Sequence, residues 1–533
     1  MQNARLRGAN REGVRKSFRY GFVFLTHRRN GNSNDMRLPI YVICSILLPL
    51  SASANFRAGF AERDITPEIG MEVPGGYGKV FAKRIHDPCK ARVAVFDDGK
   101  KRVVLVGLDA LFIRRADVLA VRRLVTERCG ISGEHVMIGA SHSHSSGPTG
   151  MVMRGDFDHA DAFVQQLAYE KSSNGDLGYV KRMIEAIVDG IVAADAGKKE
   201  CTVSFGTGEE KTVAFNRRQR MKNGLSFSHA GQGNPDILGY AGPVDPQVGV
   251  IAAWDPDGKL LGCVINFSCH ATTNGPWVSA NWIYYLERVI QGYYGKEAPV
   301  VFLQGACGDV TQVDNLSPFQ NPGGDEWAQF VGGRVGAEAL KVMLGMSQTR
   351  TATAPLDAKS KTWTISRRHP APERVQAARE LAQKPEKDAG ADWVWAKETV
   401  LLDMLMAKEP AVEVEVQAIQ IGPVVCLSNE AEYFVEYGLQ LKAGSGFPIT
   451  FPVELANGCV GYVPTEEAFG EHGGGYETRL TSYSNLEITA GNQFRDTALE
   501  LARQMKPSPL PQRPPAPAFK APWSYGNVPP QVR

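Results

Sequence analysis

The stretch "HVMIGASHSHSSGPTG", His135 to Gly150, decides how this chain is read. Its apolar half has the length and composition of a buried strand, and it breaks into Ser141-His142-Ser143-His144. Working back, "ADVLAVRRLVTERCG" sets Val118, Leu119, Val121, Leu124 and Val125 on one helical face with Gly130 as a stop, and "RVVLVGLDA" from Arg102 reads as another buried strand. Strand, helix and strand in so short a span make a βαβ unit with parallel strands and a right-handed crossover. Ligands in such sheets bind at the carboxyl ends of the strands. His142 and His144 fall there.

The placement recurs. "LLGCVINFSCHATT" is an apolar run ending at His270, and "APVVFLQGACGDV" runs into a glycine-rich turn with Asp309 and Thr311. "VEVEVQAIQIGPVVCLSNEAE" alternates like paired strands across Gly422-Pro423 and then delivers Glu430 and Glu432. The fold class expected is therefore α/β: mixed central sheet or sheets with flanking helices, one large catalytic domain, and a metal site at the strand carboxyl ends. Two histidines at i and i+2 point to opposite sides of a regular strand, so both can face one metal only if the backbone turns, and Ser-Ser-Gly-Pro is the expected turn. One histidine with His270 and a carboxylate would give a three-ligand zinc site with a position open for water. Taken singly, each histidine is as well explained by satisfying loop backbone.

Composition excludes some functions. The chain has 533 residues, 43% hydrophobic and 22% charged, ample for a large core, and its net charge of +2 offers no field to recruit nucleic acid. "YVKRMIEAIVDGIVAADAG" is an amphipathic helix with Val180, Met183, Ile184, Ile187, Val188 and Ile191 inward. The run from Pro370 to Pro410 is charged and helical, expected as a solvent-facing helical pair whose charge serves solvation. No internal repeat is visible. Residues 1–54 read as a leader with a secretory signal: an apolar run from Leu38 to Leu50, too short to span a bilayer, precedes Ala52-Ser53-Ala54 as a cleavage site, with Met36 as an alternative start. This predicts a secreted or periplasmic protein whose mature chain begins near Asn55. Its domain would run over 55–505, and 506–533 is too rich in proline to fold and reads as an extended tail. The nine cysteines are widely spaced and make a poor zinc site; most are expected as buried thiols, although an oxidising compartment permits disulfides.

Several segments between Phe56 and Leu501 resemble the amidohydrolase domain of the neutral/alkaline, non-lysosomal ceramidase family. "FRAGFAERDITPEIG", "GGYG" and "HDPCKARVAVFDDG" look like its opening, and "ASHSHSSGPTG" resembles its histidine signature with one extra serine. "INFSCHATT", "GACGDVT" and "LANGCVGYVPTEEAF" resemble its second-histidine strand, its Gly-Asp-Val segment and its metal-binding tyrosine segment. The resemblance implies one zinc per chain held by His142, His270, a glutamate and Tyr462. Aligning "AEYFVEYGLQL" selects Glu432 over Glu430, with Glu-Ala here where the family has Pro-Gly. It further implies that His144 lies just outside the ligands or binds a developing oxyanion, and that Tyr462 doubles as an electrophilic helper. Asp309 would orient its turn, and Arg217 in "FNRRQR" would contact substrate oxygens. Thr311 stands where the family has a serine, as nucleophile or as a hydrogen-bond donor to the scissile carbonyl. The family also has a carboxyl-terminal β-sandwich domain, for which the residues after Tyr462 are too few, and Asn281 stands where an aspartate is common.

Three functional readings follow. The first is a secreted zinc amidohydrolase that cleaves an N-acyl bond by metal-activated water, with a small-molecule or lipid-like substrate, ceramide in the lead, no nucleic acid, peripheral membrane contact allowed and the oligomeric state open. The second is a zinc-dependent esterase or deacylase acting on a glycan or small amide. The third is an exported binding protein of the same fold with little turnover.

Overall fold

Along the strand Arg102–Leu108 the side chains part company by alternate residues, as a period of two requires. Val103 and Leu105 enter one apolar cluster, while Val104, Val106 and Leu108 enter another. A strand buried on both faces needs cover on both sides, and this need organises the molecule. The computed structural model describes residues 56–533 apart from 274, 276, 318–321, 524 and 527. The expected signal segment lies outside the described residues.

Three sheets build the fold on the same four-strand path, the first with a short fifth strand, Lys199–Glu200, on its edge. In the first, Arg57–Asp64, Lys90–Asp97 and Arg102–Leu108 run antiparallel in sequence; the helix Arg115–Cys129 then crosses over and Val136–Ala140 returns parallel to Arg102–Leu108. In the second, Thr202–Glu209, Gln247–Trp254 and Leu260–Phe267 are antiparallel, the helix Trp282–Tyr294 crosses, and Val300–Gln304 lies parallel to the third strand. In the third, Leu356–Ser366, Ala411–Ile421 and Val424–Ser428 are followed by the helix Val435–Gly444 and the parallel strand Ile449–Val453. The topology thus repeats three times where the sequence shows no repeat, because the insertions between strands differ in length and content.

The inner faces of all three sheets meet in one core that contains Leu105, Val264, Leu303, Ile419 and Phe451. Each outer face packs on two helices: Arg115–Cys129 and Leu177–Ala196 on the first, Trp282–Tyr294 and Gly324–Gly345 on the second, Val435–Gly444 and Ala490–Arg503 on the third. Gly107 marks where two sheets touch, since a Cβ there would lie 2.4 Å from the Phe302 carbonyl oxygen. The α/β fold class with mixed sheets is as expected. Among the described residues no helix is long and apolar enough to cross a membrane.

Two expectations are corrected. Leu119 is exposed, and the buried face of its helix is Val118, Val121, Arg122 and Val125. Arg122 replaces it inside because its guanidinium bonds the Val136 carbonyl and Glu415. The charged run after Pro370 is not a solvent-facing pair: the helix Ala391–Lys408 buries Trp393, Lys397, Glu398, Val400, Leu401 and Leu402. The cysteines are mostly buried thiols, as expected: all eight described are free, six of them buried and Cys129 and Cys459 half-buried. After Arg503 the described chain has no helix or strand, and Leu510 and Arg513 still touch the body.

Candidate metal centre

Because the crossover repeats three times, three parallel pairs end together, and the segments that leave them are stitched into one floor. Gln304 donates from Nε2 to the carbonyls of Ser141 and Cys269, the Ala140 amide donates to Leu455, and the Leu455 amide donates to Ala431. Each sheet contributes its own exit loop, and each loop brings a donor group.

His142 sits at φ 59, in the left-handed region that non-glycine residues rarely occupy. The turn that reorients the histidine pair is therefore at His142 itself and not in Ser-Ser-Gly-Pro. Strain of this kind persists where the surroundings hold it. Here the two amides that follow are fixed, Ser143 to the Ala110 carbonyl and His144 to that of Ala271. The result places His142 Nε2 and His144 Nε2 3.1 Å apart.

Tautomers follow from the backbone. His142 Nδ1 is 3.0 Å from the Leu111 carbonyl, and His270 Nδ1 is 2.7 Å from that of Cys307 and 3.0 Å from that of Val310. A carbonyl accepts, so each Nδ1 holds the hydrogen and each Nε2 turns a lone pair inward. Both lone pairs face Glu432 Oε2, at 3.3 Å from His142 and 3.2 Å from His270. That oxygen is buried and finds no hydrogen-bond donor. Burial disfavours charge on every one of these groups, but at Glu432 His142 and His270 together outweigh it and hold the carboxyl well below its usual range. Burial and then Arg217 drive His270 down to about 3, and burial and then His142 keep His144 neutral. At His142 the Glu432 charge overcomes burial and raises the proton affinity, and a cation among the same atoms would take that proton's place.

A buried anionic oxygen between inward lone pairs, with donor atoms 3.1–3.3 Å apart, matches the edge of a tetrahedron with bonds of about 2.0–2.1 Å. The donor set fits a divalent metal. Among the described residues, His142, His144 and His270 form the group of histidines able to share one ion. His144 thus stands closer to the centre than the resemblance implied. Glu430 does not: its carboxylate accepts from Arg115 at 3.1 Å and from the Glu415 amide at 3.2 Å.

The remaining expected residues divide. Tyr462 pairs with Glu432 in a short parallel bridge and lines the same cavity as His142 and His144, one of about 260 Å³. Arg217 lies behind that wall, with Nη1 3.0 Å from His270 Nε2, Nε donating to Glu477 at 2.7 Å and Nη2 to the Gly308 carbonyl at 2.7 Å. Asp309 ties its turn to the rest by accepting from Asn216 and from the Val435 amide, both at 2.8 Å, and burial pushes its carboxyl up to about 6. Thr311 does not line the cavity: it is buried in a short bridge to Phe215, and its hydroxyl donates to Gln312 at 3.0 Å.

Sequence reasoning missed the cavity's aromatic wall, Tyr77, Trp395, Tyr476 and Tyr483, and the role of Gly75. A Cβ at Gly75 would lie 2.3 Å from His144 Nδ1, so this glycine lets the loop press on the imidazole. The "GGYG" motif was a usable signal for it. The aromatics sit in insertions without periodicity.

No protein-family model matches the chain. It is 29% identical over 329 residues to neutral ceramidase of Pseudomonas aeruginosa, a match covering 56% of this chain and 44% of that protein, so the alignment spans less than half of the relative's length. The crystal structure of neutral ceramidase from Pseudomonas aeruginosa superposes with a TM-score of 0.61 at 22% identity, covering 86% of this chain and 76% of that one. A ceramidase complexed with C2 gives 0.59 at 21% identity, covering 87% and 77%. The chain resembles the neutral ceramidases in sequence and shares their fold.

Proposed function

We propose that the chain hydrolyses an N-acyl amide bond at a zinc ion held by His142, His270, Glu432 and Tyr462. The observation that carries this reading is the donorless Glu432 Oε2 between two inward imidazole lone pairs. The similarity to neutral ceramidase supports the amide as the bond attacked. Imidazole, carboxylate and phenol suit zinc better than they suit calcium or magnesium. Such an ion supplies Lewis acidity toward a carbonyl oxygen and toward water.

The chain's own residues do the rest. The Tyr462 hydroxyl, on the cavity wall beside His142 and His144, can donate to an oxygen that gains negative charge. His144, kept neutral by burial on the cavity wall, can hydrogen-bond an oxygen that gains negative charge. Arg217 acts as a positioning residue: its guanidinium lies 5.4 Å from the Tyr462 ring centre and is itself held by Glu477 and the Gly308 carbonyl. Thr311 supports the turn beneath His270 from outside the cavity.

The test is hydrolysis of matched N-acyl and O-acyl compounds by purified protein, before and after chelation. Amide cleavage that is lost on chelation and restored by zinc is the expected result. Cleavage of esters alone, or amide cleavage indifferent to chelation, would overturn it.

A further inference from the structure

The strands Leu356–Ser366 and Ala411–Ile421 are antiparallel neighbours that pair Ser366 with Ala411, so a tight turn would join them. Instead the chain makes a helical excursion, and the helix Ala391–Lys408 reaches the catalytic cavity. Trp395 from this insertion meets Tyr77 from the loop before Lys90–Asp97, with ring centres 5.4 Å apart and planes at 69°. Arg479, from a third segment, lies 4.6 Å over the Trp395 ring. Both aromatic rings line the cavity of the histidines.

The neighbours of Trp395 fix this roof in place. Lys397 is buried, and its ammonium donates to the Tyr77 carbonyl, to Ser172 Oγ at 2.9 Å and to the Lys171 carbonyl at 3.2 Å, while pairing with Glu398 at 3.1 Å. Glu398 in turn accepts from the Ser482 hydroxyl. A buried lysine is tolerated only when its hydrogens find partners, and here they tie the insertion to the Tyr77 loop on the cavity wall and to the Lys171-Ser172 segment behind it. The roof is thus braced at its polar corner. Beneath it lies about 260 Å³, below the roughly 300–1,000 Å³ usual for sites that enclose drug-sized ligands. A two-chain lipid amide needs far more.

We propose that Trp395 is a specificity-determining residue, capping the cavity so that it takes N-acyl amides with a short apolar arm beneath the indole and rejects the same amides with a long arm. The inference rests on the amidohydrolase reading for its substrate class, but the steric limit is a property of the cavity and is read by binding alone. The experiment uses the metal-loaded full chain and two series of N-acyl amides, one with the acyl arm lengthened stepwise and one with the amine arm lengthened. Binding by calorimetry is measured beside kcat/KM. In at least one series affinity should fall about tenfold or more once the arm outgrows the cavity. Trp395→Ala should remove that cut-off, raising the ratio of long-arm to short-arm affinity about tenfold or more, and Trp395→Phe should shift it to slightly longer arms. Metal content and thermal unfolding should match the parent in both. Affinity that rises steadily with length in both series of the parent overturns the proposal, as does a uniform loss along the series in either folded variant. A cut-off in binding without turnover on any amide would sink the amidohydrolase reading and leave the cap standing.

Discussion

Glu432→Gln is expected to abolish turnover to within the detection limit, a loss of about a thousandfold or more, while the protein stays folded. Glutamine keeps the shape of the side chain but removes the charge and turns one carboxylate oxygen into an NH2. Oε2 lies 3.3 Å and 3.2 Å from the Nε2 atoms of His142 and His270. An amide there can donate to those two lone pairs, which satisfies the site without a cation and takes away the reason for one. Thr311→Ala is the matched control. Its hydroxyl bonds only Gln312 and is absent from the cavity wall, so activity should stay within about tenfold of the parent. Steady-state kinetics on the best N-acyl substrate checks both. A Thr311→Ala variant that is inactive while it holds its metal, together with an acyl-enzyme trapped on the parent, would instead make Thr311 the nucleophile.

The second large effect is on stability. Arg92, in the strand Lys90–Asp97, is 1% exposed and bonds Asp109 from Nη1 and Glu287 from Nη2, both at 2.6 Å. Glu287 belongs to the helix Trp282–Tyr294 on the second sheet, so this guanidinium clips the first and second units together. Arg92→Met fills similar space but leaves two carboxylates buried with less than their charge opposed. Breaking a buried pair from one side costs about 3–5 kcal/mol. Lys90 keeps one bond to Glu287 at 2.9 Å, which places the expectation at the lower end, about 3 kcal/mol. Urea unfolding of the parent and the variant checks it, and a difference under about 1 kcal/mol would show that Lys90 suffices. Asp109 lies two residues before Leu111, whose carbonyl fixes the His142 tautomer, so weaker metal retention should accompany the loss of stability.

What could be read in advance followed from burial on two sides. Strands such as Arg102–Leu108 are apolar without interruption because both faces are covered, and histidines or carboxylates just past such runs stand out against them. The three donor loops were legible for that reason. Their convergence was not, because it depends on three sheets sharing one core, and neither the periodicity of a strand nor its length says which other sheet it will face. The turn at His142 was hidden too, since the left-handed conformation is imposed by the Ala110 and Ala271 carbonyls, which are distant in sequence from one another. The helix Ala391–Lys408 misled by its charge. Lys397 and Glu398 look like solvent residues in any local window, and only the carbonyls of Tyr77 and Lys171 and the hydroxyls of Ser172 and Ser482 explain their burial. Choosing Glu432 over Glu430 rested on alignment. The structure adds the physical distinction that Arg115 engages one carboxylate and no donor engages the inner oxygen of the other.

If Glu432 holds an ion together with His142 and His270, the metal content of the purified protein reports it. Elemental analysis of the parent, purified without chelators, should find about one zinc per chain, and Glu432→Gln and the His142→Ala/His270→Ala double variant should each retain under about a tenth of that. Full metal retention in the double variant, or a parent that is active on amides with no metal bound, would contradict the account.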